Sequence, residues 1–133
     1  MTYALRPIGR VSSPLHDPAE APLQGDEGAP AAVLVLAPDA APGLAGLAAG
    51  DRLLVLTWLH RARRDVLRVR PRNDPRRPET GVFATRSPDR PNPIGLHRVE
   101  VAWVDGDRVG VRGLEAVDGT PVLDLKPVLR DER

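Results

Sequence analysis

The chain has 133 residues, long enough for one domain with a real hydrophobic core and too short to require a second. Fifteen prolines and twelve glycines stand against one Phe, one Tyr and two Trp, which describes a turn-rich fold with an aliphatic core and no long helices. The absence of cysteine excludes disulfides, zinc thiolate sites and cysteine nucleophiles together, and a formal net charge of +1 hides an uneven distribution.

Strand signals begin with Tyr3 to Val11. Val11 to Pro30 follows as a long polar loop carrying Gly25 and Gly28, a length that a compact domain tolerates only for function or mobility. Ala32 to Leu36 reads as the next strand. Ala40 to Ala49 is helix-like in composition, but Gly43 and Gly46 limit it to about two turns or a looser turn. Leu53 to His60 is an apolar strand, and its end delivers an imidazole and a guanidinium, His60 and Arg61, to one rim of the sheet. Val66 to Arg70 is a further strand signal. Arg61, Arg63, Arg64, Arg68, Arg70, Arg72, Arg76 and Arg77 crowd the same region, relieved only by Asp65 and Asp74. Such a stretch suits a polyanion such as RNA or forms a solvated, internally paired face.

Gly81 to Leu96 is chemically the densest segment. Pro88, Pro91 and Pro93 fix φ and bias Ser87, Arg90 and Asn92 away from helix, so a stiff extended track is expected, bearing Arg86, Ser87, Asp89, Arg90 and Asn92. Stiffness lets these groups meet a polar ligand at little ordering cost. Beyond it, Val99, Val101 and Trp103 alternate with polar neighbours, Asp105-Gly106 offers a tight turn, and Val109 and Val111 alternate back as a hairpin. Asp118 to Pro121 is a turn, and Val122 to Pro127 a strand with Asp124 and Lys126 on one face, as an ion pair or as chemistry.

Short strands, hairpin turns and no β-α alternation favour a single antiparallel barrel or sandwich, and no Gly-rich nucleotide fingerprint follows a strand. His16, His60 and His97 are scattered without metal-ligand spacing, so no metal is expected. Ser87 lacks the context of a hydrolase nucleophile. No segment approaches the roughly 20 apolar residues that span a bilayer, and no secretion signal opens the chain, so a cytoplasmic location without membrane contact is expected.

Three blocks taken together, Trp58-Leu59-His60-Arg61, Gly81 to Leu96 and Asp118 to Pro127, closely resemble the TrmO family, also called TsaA-like or YaeB-like. Pro7 to Pro14 resembles its opening strand and turn, so the likeness covers nearly the whole chain. The resemblance implies a mainly β fold: a single small antiparallel β-barrel domain over residues 1–133, with long loops and at most one or two short helices. It further implies a homodimeric S-adenosylmethionine-dependent methyltransferase that acts on N6 of N6-threonylcarbamoyladenosine beside the tRNA anticodon. Position by position, cofactor contacts fall on Pro22, Leu23, Gln24, His60, Arg61, Arg86, Leu96, Asp118, Gly119, Thr120 and Pro121. Many relatives have Ser-His or Asp-His where this chain has Asp51-Arg52.

A sulfonium activates its own methyl group, so the protein chiefly has to hold the acceptor nitrogen in line. Carbamoylation draws electron density from N6, which makes proton removal matter, with His60 and Asp124 as candidate bases. Arg86 or Arg90 suits the threonyl carboxylate by bidentate contact, Asn92 either braces the loop or meets the acceptor base, and Arg63 and Arg64 suit RNA phosphates. A small-metabolite acceptor and a non-catalytic cofactor- or RNA-binding module are the competing expectations.

Overall fold

The computed structural model describes residues 1–16 and 31–130. Its eight strands are β1 (Gly9–Ser12), β2 (Ala32–Leu36), β3 (Arg52–Trp58), β4 (Arg68–Val69), β5 (Thr80–Gly81), β6 (Ile94–Asp105), β7 (Arg108–Arg112) and β8 (Pro121–Pro127). Six of them close a barrel in the order β1-β2-β7-β6-β3-β8, every neighbouring pair antiparallel, with β8 returning to β1. Closure removes the unpaired edges that an open sheet of such short strands would leave. The expected antiparallel barrel is therefore the fold.

Period-2 burial on β2, β3 and β6 sends one set of side chains inward. Val11, Leu34, Val55, Val101, Val111 and Val122 are nearly solvent-free and meet in one aliphatic core. Leu44 closes one end of that core from a 3-10 turn at Ala41–Leu44, where the alanine-rich segment takes the looser of its two expected forms. Leu114 and Ala116, between β7 and β8, close the other end. Helical structure among the described residues is confined to such turns, here and at Pro71–Asn73 and Val82–Ala84.

Three expectations shift in detail. β1 begins at Gly9, because Tyr3 and Leu5 stay exposed and bury nothing against the barrel. The Val66 to Arg70 signal becomes β4, a two-residue ribbon with β5 outside the barrel. In the β6–β7 hairpin the turn centres on Gly106 and Asp107, because Asp105 already pairs with Arg108. A register shift between Val101 and Trp103 then reverses the alternation, so Trp103 points outward over Gly110 while Val104 packs on the core.

Candidate functional site at one end of the barrel

Antiparallel closure puts the C-terminal ends of β1, β3 and β7 and the N-terminal ends of β2, β6 and β8 at the same rim. The residues that the sequence singles out come from those ends. β3 leads into His60 and Arg61, β6 starts beside Leu96, and the Asp118 to Pro121 turn enters β8. Leu56 pairs with Leu96 on one side and with Asp124 on the other, so these three form one outward row across β8, β3 and β6.

The turn is welded to the end of β1. Val11 N–H donates to Thr120 O (2.9 Å), Gly119 N–H to Val11 O (2.7 Å), and Ser13 N–H to Asp118 Oδ1 (3.0 Å). Thr120 is buried, and its hydroxyl donates to Val117 O (2.7 Å), so its side chain holds the turn in shape. Asp118 and Gly119 remain exposed. Arg61 reaches across and donates to His16 O (2.6 Å), which ties the β3 exit to the segment that follows β1. Pro22, Leu23 and Gln24 lie outside the described residues.

The track from Gly81 to Leu96 is composite: the end of β5, a 3-10 turn, a run of bends over residues 85–92 and the start of β6. The expected extended run is not formed: the prolines fix φ and exclude helix, but a bond from Ile94 N–H to Asn92 O (2.7 Å) and the Arg90 side chain fold the segment. Arg90 fastens the bend, donating to the carbonyls of Val82 (2.8 Å), Ser87 (2.9 Å) and Thr85 (3.2 Å). Asp89 accepts from Arg63 N–H (2.8 Å), and Arg90 N–H donates to Arg63 O (3.0 Å), so the track is bound to the residues after β3. Arg64 lies over the Trp58 ring (5.1 Å to its centroid) and donates to Pro91 O (2.8 Å) and to Asn92 Oδ1 (3.2 Å). Arg63 makes a two-pronged pair with Asp65, which holds that carboxyl below its usual range and the guanidinium above its own. Arg63, Arg64, Arg90 and Asn92 thus all have intramolecular work.

Loss of three donors at once should make Arg90 structural in experiment. Arg90→Ala is expected to cost about 1–3 kcal/mol, or a melting point about 5 °C lower, with faster proteolysis near residues 82–90. An unchanged melting temperature would return Arg90 to the ligand-binding candidates.

The arginine-rich stretch is partly neutralised from within. Besides Arg63 with Asp65, Arg76 and Arg77 meet the half-buried Asp74, and Arg68 meets Glu79, surface pairs whose arginines are exposed and whose energetic weight is small. Asp74 sits below the usual carboxyl range, mainly through the Arg76 side-chain hydrogen bond. On β8, Lys126 Nζ contacts Asp124 Oδ2 at 2.8 Å, which raises the lysine and engages the carboxylate. His60 and Arg86 are exposed and have no side-chain partner among the described residues; Leu96 is 45% exposed.

The sequence does not single out Thr57, and His97 reads there only as one of three histidines without metal-ligand spacing. For His97 a signal existed, since it shares parity with Val99 and Val101 and therefore faces inward. Nothing local marks Glu115. Among the described residues no group of three or more His, Asp or Glu is placed to hold a metal ion, and no helix is long and apolar enough to cross a membrane. An open groove lined by Ser12, Pro14, Ala31, Trp103 and Arg112 lies between β1, β2, β6 and β7, on a different wall from the Leu56, Leu96 and Asp124 row.

A closed six-stranded barrel whose loops converge at one rim, beside an Arg-Ser-Pro-Asp-Arg-Pro-Asn-Pro track, defines a small class of β-barrel proteins. Residues 10–132 match the family described as "tRNA-methyltransferase O N-terminal domain", and the chain belongs to that family. A "Probable S-adenosyl-L-methionine-binding protein" of Methanothermobacter thermautotrophicus is 43% identical over 131 residues, 98% of this chain and 93% of the relative. An "S-adenosyl-L-methionine-binding protein" of Archaeoglobus fulgidus is 43% identical over 122 residues, 92% and 86% of the two chains. Among solved structures, TrmO from Pseudomonas aeruginosa superposes with a TM-score of 0.78 at 30% identity, covering 100% of this chain and 61% of that one. The chain thus spans about six-tenths of the length of that structure.

Proposed function

We propose that the protein is an S-adenosylmethionine-dependent methyltransferase that methylates N6 of threonylcarbamoyladenosine in tRNA. The observation that carries the reading is the convergence at one barrel rim of His60, Arg61, Leu96 and the Asp118 to Pro121 turn. Family membership and relatives named for S-adenosylmethionine binding support it.

The chemistry of the rim fits such a cofactor. Asp118 keeps an exposed carboxylate, one oxygen of which accepts Ser13 N–H and the other of which suits amino or hydroxyl donors, Leu96 offers exposed apolar surface, and Arg86, on the track that leads into β6, carries a guanidinium suited to a carboxylate with no partner among the described residues. When bound, the cofactor supplies a methyl group made electrophilic by its sulfonium. The chain's own task is to hold the acceptor in line and to take up the proton that N6 loses. His60 is the better-placed base, because its imidazole is exposed and has no partner among the described residues, whereas Lys126 holds Asp124. Arg61 keeps the β3 exit in place through His16. Pro22, Leu23 and Gln24 complete the cofactor contacts in this reading, and a homodimer in the cytoplasm is its setting.

Nucleoside mass spectrometry of tRNA from a strain lacking the protein is expected to show loss of methylated threonylcarbamoyladenosine, restored by the wild-type chain. Unchanged methylation would overturn the assignment. A second reading keeps the cofactor and makes the acceptor a small metabolite. The internal pairing of Arg63, Arg68, Arg76 and Arg77 favours it, since paired arginines offer less charge to an RNA backbone. Strict dependence of turnover on tRNA would remove that reading.

A further inference from the structure

Beneath the rim, His97 is the only buried ionisable side chain among the described residues, and both ring nitrogens are engaged. Nδ1 lies 2.6 Å from Glu115 Oε1, and Nε2 lies 2.7 Å from Thr57 Oγ1. An ionised carboxylate only accepts, so Nδ1 carries the proton toward Glu115, and in the neutral ring Nε2 accepts the Thr57 hydroxyl. The three residues come from three elements: β3, β6 and the connection between β7 and β8.

Gly95 makes the arrangement possible. It pairs with Thr57 across β3 and β6, and a Cβ there would overlap Thr57 Oγ1 and approach His97 Nε2 to 2.6 Å. An aliphatic side chain at 97 would fill the core without demanding two partners, so packing alone does not account for the imidazole. The placement of the partners is more telling. Thr57 lies three residues before His60, His97 follows Leu96, and Glu115 lies three residues before Asp118. Each member is anchored next to a different segment of the candidate cofactor site.

We propose that Thr57, His97 and Glu115 form a positioning relay that fixes the His60-Arg61, Leu96 and Asp118 to Pro121 segments relative to one another, and so sets the affinity for S-adenosylmethionine. The inference rests on the functional reading above. None of the three touches the reacting atoms. They act through the backbone they hold, and a fully satisfied buried network is rigid enough to do so.

The test compares Thr57→Val, Thr57→Ser and Glu115→Gln by calorimetric titration with S-adenosylmethionine, alongside thermal melts of each. Thr57→Val, which deletes a buried hydrogen bond, and Glu115→Gln, which turns the charged acceptor of the His97 Nδ1–H into a neutral one, are each expected to weaken binding about tenfold, while Thr57→Ser stays near wild type. The Thr57→Val, Glu115→Gln double variant is expected to bind no more weakly than the worse single variant, because the relay acts as one unit. Lowered melting temperatures with wild-type affinity in the folded variants would overturn the relay and leave the function standing. Should Thr57→Val fail to fold, Glu115→Gln at the half-buried end decides the matter alone. A wild-type chain that does not bind S-adenosylmethionine would overturn the functional reading itself, and the relay with it.

Discussion

Gly95→Ala is expected to lower the melting temperature by about 10 °C, corresponding to roughly 3 kcal/mol of overpacking in a domain of this size. The added methyl meets Thr57 Oγ1 and His97 Nε2, neither of which is the free end of a flexible side chain. Both are buried and hydrogen-bonded, so relief requires breaking the Thr57–His97 bond or shifting β3 against β6. Leu59 Cδ2 at 3.1 Å closes the third direction. Gly110→Ala supplies the contrast. There the methyl meets the Trp103 indole, which is 43% exposed and free to swing into solvent. Its cost is expected to be about 1 kcal/mol, and differential scanning calorimetry of both variants checks the order. Equal melting temperatures would show that the Gly95 contact yields easily.

Arg86→Ala is expected to weaken S-adenosylmethionine binding about tenfold to a hundredfold while moving the melting temperature by less than about 2 °C, since charged hydrogen bonds are worth more than neutral ones. Its guanidinium is exposed and has no partner among the described residues, so truncation breaks no contact that holds the barrel together. Arg90, four residues on, behaves oppositely because three carbonyls depend on it. The two arginines therefore separate ligand affinity from stability within one segment. Calorimetric titration of Arg86→Ala with equal affinity to wild type would remove it from the site.

Local patterning made much of the fold legible. The alternations at Ala32 to Leu36 and Leu53 to Trp58 carry through to the barrel wall, since period-2 burial is a property of neighbouring residues. The hairpin is legible too, apart from the shift at Ala102 that turns Trp103 outward. Such a bulge is set by the partner strand, where Gly110 accepts an indole that any larger residue would displace. The β4–β5 ribbon fell outside the barrel for a comparable reason: strand propensity reports a pleated, half-buried surface, not which sheet receives it.

The candidate site divides in the same way. His60, Arg61, Leu96 and the Asp118 turn are legible as strand ends and turn residues, and closure of the barrel is what assembles them at one rim. By itself the sequence determined a mainly β fold, the family, and which residue types stand ready for chemistry. The division of labour among the arginines was decided only in three dimensions, because Arg63 and Arg64 find acceptors on the track brought near by folding and Arg90 finds its own in the bend around it, while Arg86 finds none among the described residues. The relay is the clearest case. Glu115 and Thr57 lie 58 residues apart and meet through His97 only when β3, β6 and the loop after β7 close on one core.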